Sequence, residues 1–95
     1  MVINFEQVHN YYERLVFERV ALLAETHRDF TSDMLADTAC VALNRLPARY
    51  VRHDVDMMFY LTEHERQAIE QVMEESLTFA FGFVAERVAK RQATR

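Results

Sequence analysis

One glycine and one proline in 95 residues leave this chain few ways to turn. Hairpin-built sheets reverse direction at Gly- and Pro-bearing turns, and α/β nucleotide folds hold phosphates on glycine-rich loops. Neither supply is present, so the expected class is all-α: helices joined by a few connections. The length suits a single domain, 1–95, with a modest core. Yet 51% of the residues are hydrophobic, more apolar surface than such a core hides. The excess predicts a partner, and a second copy of the chain is the simplest one.

Three amphipathic helices are expected. The first runs from about Asn4, its proposed cap, to Thr26, with Phe5, Val8, Tyr12, Leu15, Val16, Arg19, Leu22 and Leu23 at three- and four-residue spacing. The second runs from about Ser32 to Leu46, capped by Thr31, Ser32 or Asp33. Its small residues Ala36, Ala39, Cys40 and Ala42 make it the expected central helix. Pro47 stops it, because proline disfavours helix in the residue before it. The third opens at Thr62-Glu63-His64-Glu65, a capping box, and continues to about Lys90. Its expected seam is Ile69, Val72, Met73, Ser76, Ala80, Phe83, Val84 and Val88, with Leu77, Phe79 and Phe81 partly off it. At ~100° per residue, one face cannot bury Phe79, Phe81 and Phe83 together. A helix apolar on two sides again predicts a homodimer. Between the second and third helices, Pro47–Leu61 is long for a plain loop. Tyr50-Val51-Arg52 and Met57-Met58-Phe59-Tyr60 both suit extended chain, and a short strand there could pair across a dimer axis.

Several functions are disfavoured. One cysteine, Cys40, makes no internal disulfide and no CxxC site, which suits a reducing cytoplasm. It sits among apolar residues and is expected to be a buried thiol. No HxxxH or HExxH spacing presets a metal site, and no nucleophile elbow is present, so neither a metal nor catalysis is expected. Met1–Glu6 lacks the basic and apolar regions of a signal peptide, and no apolar run is long enough to span a bilayer. A net charge of −4 argues against nonspecific DNA binding.

The segment Asn44-Arg45-Leu46-Pro47-Ala48-Arg49-Tyr50-Val51-Arg52-His53-Asp54 is the one that invites a function. Arg45, Arg49 and Arg52 suit bidentate phosphate contacts and stacking on bases. Tyr50 can stack or hydrogen-bond, and Asn44, Asp54 and Asp56 can read polar base edges. The same residues also have a structural use. Asn44 and Arg45 can bond the freed carbonyls of a helix end, and Arg52 can pair with Asp54 on the surface.

The stretch Asp37-Thr38-Ala39-Cys40-Val41-Ala42-Leu43-Asn44-Arg45-Leu46-Pro47-Ala48-Arg49-Tyr50-Val51 resembles the hallmark of the late-competence ComFB family, a helix ending in an LNxLPPxYV motif. Asn10-Tyr11-Tyr12-Glu13-Arg14-Leu15-Val16-Phe17-Glu18 is similar to that family's first helix. The resemblance implies a small helical homodimer that receives a cyclic dinucleotide such as c-di-GMP and relays its level to a partner protein of motility, pili or competence. Arg45 and Arg49 stand four residues apart, a spacing some cyclic dinucleotide receptors use. Two departures stand out. Ala48 replaces the second proline, and His27-Arg28-Asp29-Phe30-Thr31 stands where some members carry a cysteine cluster, so no zinc role carries over. The expected ligand set is Asn44, Arg45, Arg49, Tyr50, Arg52 and Asp54, lining a cleft near the two-fold axis. A ligand-independent protein-interaction dimer is the competing reading.

Overall fold

A computed structural model describes residues 1–94. The order is β1 (His9–Asn10), α1 (Tyr12–Leu23) with a 3-10 turn at Ala24–Thr26, α2 (Ser32–Arg45), β2 (Tyr50–Val51), α3 (Val55–Tyr60) and α4 (Glu63–Ala93). The all-α expectation holds, with one two-residue strand pair added.

Helix α2 lies at the centre and packs on both α1 and α4. Its small residues permit this: Ala39 and Ala42 are buried, and Thr38 is buried with its hydroxyl donating to the Met34 carbonyl at 2.8 Å. Around them close Tyr12, Val16 and Val20 of α1 and Met73, Leu77, Ala80 and Phe81 of α4. An exposed ion pair, Arg19 to Glu70 at 3.1 Å, links α1 to α4.

The caps set the boundaries. The Thr31 hydroxyl accepts from the Met34 N–H at 3.1 Å, which decides among the three proposed caps of α2. Leu46 leaves the helix with φ −89° and ψ 140°, the extended conformation that the following proline requires. At α4, the Thr62 hydroxyl accepts from the Glu65 N–H at 3.1 Å and the Glu65 carboxylate from the Thr62 N–H at 3.2 Å.

Five expectations are corrected. First, α1 begins at Tyr12 and not at Asn4. The Asn10 side chain accepts from the Tyr12 N–H (3.2 Å), and Glu13 accepts from the Asn10 N–H (3.3 Å), so the real cap lies six residues later. Asn4 instead accepts from the Glu6 N–H in a local turn. Second, the long connection contains a helix, α3, which takes in Met57–Tyr60 where extended chain was expected and makes four helices rather than three among the described residues. Third, β2 pairs antiparallel with the chain's own β1, with His9 opposite Val51 and Asn10 opposite Tyr50, and not across a dimer axis. Fourth, Cys40 is exposed. It sits about 100° around α2 from buried Ala39 and farther from Ala42, on the helix's outer side. Fifth, on α4 Leu77 and Phe81 are buried in the seam, whereas Phe83 is 37% exposed.

Candidate functional site

The motif segment is shaped by its backbone. Leu46 is buried and pins the exit of α2. The next residues run back along the entrance of α1. The Arg49 N–H donates to the Asn10 side chain at 3.1 Å, and the Arg49 carbonyl accepts from the Tyr11 N–H at 2.6 Å. With the β1–β2 pairing, this holds residues 49–51 along one edge. The side chains of Arg49, Tyr50 and Arg52 remain exposed.

His9 completes this corner. Its Nε2 lies 2.5 Å from Asp54 Oδ1, and its Nδ1 lies 2.6 Å from the Gln7 carbonyl. Both ring nitrogens thus face acceptors, and only the imidazolium satisfies both. The second Asp54 oxygen accepts from Arg14 Nε at 3.2 Å, and Arg14 also pairs with Glu18. The Asp54 hydrogen bond, then the Gln7 carbonyl, raise the His9 pKa above its ordinary value. The hydrogen bond from His9, outweighing partial burial and helped by Arg14, lowers that of Asp54. Burial raises the Tyr12 pKa, which the nearby Arg49 opposes.

Arg45 goes elsewhere. As the last residue of α2, it lays its guanidinium over the Phe79 ring of α4, 3.8 Å from the centroid. Phe79 stacks on Phe83 at 5.6 Å, and Arg87 lies 5.7 Å from the Phe83 centroid. The six sequence-derived residues therefore split. Arg49, Tyr50 and Asp54 gather at the β1–β2 corner. Arg45 faces the α2–α4 flank. Arg52 follows β2, and Asn44 is exposed near the end of α2. The structural alternative for Arg52 fails, because Asp54 is engaged by His9 and Arg14. Among the described residues, the side chains of Arg45, Arg49 and Arg52 make no ion pair, whereas Arg14 and Arg19 do.

Sequence reasoning missed His9, Asn10, Arg14 and Phe79. Asn10-Tyr11-Tyr12-Glu13 carries a capping pattern that could have placed Asn10. His9 is 45 residues from Asp54, and no local pattern marks that pair.

Elsewhere, a groove of about 650 Å³ runs beside α4, lined in part by Leu23, His27, Phe30, Leu77 and Phe81. His27 stacks on Phe81 at 4.2 Å, and its Nδ1 lies 2.8 Å from the Leu23 carbonyl. Among the described residues, no three His, Cys, Asp or Glu converge as metal ligands, and no helix is long and apolar enough to cross a membrane.

The domain is a small helical module that holds a basic, aromatic segment out to solvent beside its own N-terminal strand. The model of the late competence development protein ComFB family matches residues 9–88, and the chain belongs to that family. Membership suggests a competence-related regulatory role. No curated protein and no solved structure matches the chain.

Proposed function

We propose that the chain is a non-enzymatic, cytoplasmic regulator that acts as a homodimer, binds a cyclic dinucleotide of the c-di-GMP kind, and passes its bound state to a partner protein of competence, motility or pilus systems. One observation carries this reading. In a chain of net charge −4, the three motif arginines are exposed and without a carboxylate partner among the described residues. Unpaired guanidinium groups beside an exposed tyrosine suit phosphates and base faces. Arg49 and Arg52 would hold phosphates or guanine edges, Tyr50 would stack on a base, and Asn44 would read a base edge. Arg45, already over the Phe79 ring, would offer its outer face for stacking. Asp54 would act mainly by fixing the corner through His9 and Arg14. Ligand would stiffen the segment and change the face shown to the partner, a shift of population rather than chemistry.

The second reading, a dimer that recruits proteins without a small ligand, has its own support. Met58, Phe59 and Tyr60 of α3 are largely exposed, Phe59 at 80%. Adjacent apolar side chains of this size mark protein contact surfaces.

Calorimetric titration of the purified chain with c-di-GMP, with c-di-AMP and GTP as controls, separates the two. Micromolar or tighter binding at one ligand per dimer or per subunit supports the receptor reading. A folded chain that gives no heat with any of the three overturns it in favour of the interaction dimer.

A further inference from the structure

The exposed flank of α4 carries one row of residues at four-residue intervals: Gln71, Glu75, Phe79, Phe83, Arg87 and Arg91. Phe79 and Phe83 stand at its centre, 42% and 37% exposed, with rings stacked at 5.6 Å and 24°. An acid lies one step toward the start of the helix, and an arginine lies one step toward its end. The row is complementary to its own reverse about the level of Phe81: Phe79 answers Phe83, Glu75 answers Arg87, and Gln71 answers Arg91.

We propose that this row is the surface on which two copies of the chain associate, antiparallel, about a two-fold axis level with Phe81. The inference rests on the homodimer in the reading above and adds the surface and register. A two-fold interface requires a patch that complements itself, residue i meeting j and j meeting i. Here each Phe79 meets Phe83 of the second copy, and the four rings form one apolar cluster. Each Glu75 meets Arg87 of the second copy, so two ion pairs border the cluster.

The partners are available. Glu75 accepts only from Gln71 within its own helix (2.9 Å), and Arg87 makes no ion pair among the described residues. Rows at i±4 spacing pack against the same rows of another helix at a crossing angle of about −50°, the commonest helix packing class. A separate apolar groove, between α1 and α2 with Phe17, Leu35, Ala36 and Leu43, has no charged lining residue and so no register of this kind.

The register also places Arg45. At ~1.5 Å rise per residue, the two copies of Phe79 lie ~6 Å apart along the helix direction. The Arg45 guanidinium covers Phe79, so one Arg45 flanks the axis on each side. The arginine that ends α2 thus becomes half of a symmetric pair, which a symmetric ligand can span.

Sedimentation equilibrium tests the surface with the intact chain and three variants: Glu75→Arg, Arg87→Glu and the double exchange. Each single exchange sets like charges face to face at two places and should weaken the dimer roughly tenfold or more. The double exchange restores opposite charges in both pairs and should return the dissociation constant to within about threefold of the parent. Glu75 and Arg87 are exposed, and circular dichroism melts check that each variant is folded. Phe83→Asp should also yield monomer. A parent dimer insensitive to both single exchanges overturns this surface and leaves the homodimer standing. A monomeric parent overturns both. A dimer that responds as expected but binds no c-di-GMP upholds the surface and removes the ligand reading.

Discussion

The guanidinium of Arg45 lies 3.8 Å above the ring of Phe79, which ties the last residue of α2 to the flank of α4. An exposed contact of this kind contributes about 0.5–1 kcal/mol. A double-mutant cycle of Arg45→Ala and Phe79→Leu in urea should return a coupling of about 0.5 kcal/mol. Zero coupling would mean that the contact does not hold the two helices. Lysine at position 45 should keep the charge and lose most of the coupling, because an ammonium does not lie flat on a ring.

Arg49 is exposed, and its backbone alone is used by the fold. Arg49→Ala should leave the helical signal, the melting temperature and the dimer unchanged. Its charge-assisted contacts to a phosphate are worth roughly 1.5–3 kcal/mol, so c-di-GMP affinity should fall tenfold or more in calorimetry. Unchanged affinity would take Arg49 out of the binding set.

The corner made by His9 and Asp54 should depend on pH in a defined direction. The folded pKa of His9 is raised above 6.5, so its contribution is full below 6.5 and is lost as pH climbs through the raised value. That of Asp54 is lowered below 3.8, so its contribution is full above 3.8 and is lost as pH falls through the lowered value. The pair is therefore strongest between about pH 4 and 6.5. Proton NMR should find His9 titrating higher than it does in Asp54→Asn. An identical midpoint in the two proteins would rule the linkage out.

The core and the outer side of α2 should respond very differently to truncation. Met73 is 2% exposed, and Met73→Ala should cost about 3 kcal/mol by leaving a cavity between α2 and α4. Cys40→Ser on the exposed side should change the stability of the subunit by less than about 0.5 kcal/mol. Urea midpoints report both. Cys40 should also react with a maleimide in the native state, as a buried thiol would not.

Much of this fold was legible because its strongest signals are local. Thr31, Pro47 and the Thr62–Glu65 box mark α2 and the start of α4 within a residue or two, and each acts through neighbours in sequence. The start of α1 was not legible by periodicity, because Phe5 and Val8 fall in phase with Tyr12, Leu15 and Val16. The apolar pattern runs straight across the cap at Asn10. Helix α3 is six residues long and buries only Met57, too little to establish a period. Cys40 was misplaced because α2 is apolar over much of its circumference, and composition does not say which side a neighbour covers. Within the candidate site, the motif segment stands out by residue type. What positions it, His9 and Arg14 on Asp54 and Phe79 under Arg45, comes from distant parts of the chain.

The β1–β2 pair also bears on the order in which the molecule forms. It closes a loop that spans α1 and α2, with the His9–Asp54 contact 45 residues apart, and two strand residues on each side repay that closure. The contacts of α2 with α1 and α4 bury far more apolar surface, so the pair should close after those helices have docked. In the native state it should also open first, freeing the leading residues while the core stays shut. Amide protons of Tyr11 and Val51, which the pairing ties up, would then exchange well ahead of those of Val16 and Ala42. The segment that carries the family motif would be set by the least durable part of the fold, able to let go and re-form while the rest of the subunit stays folded.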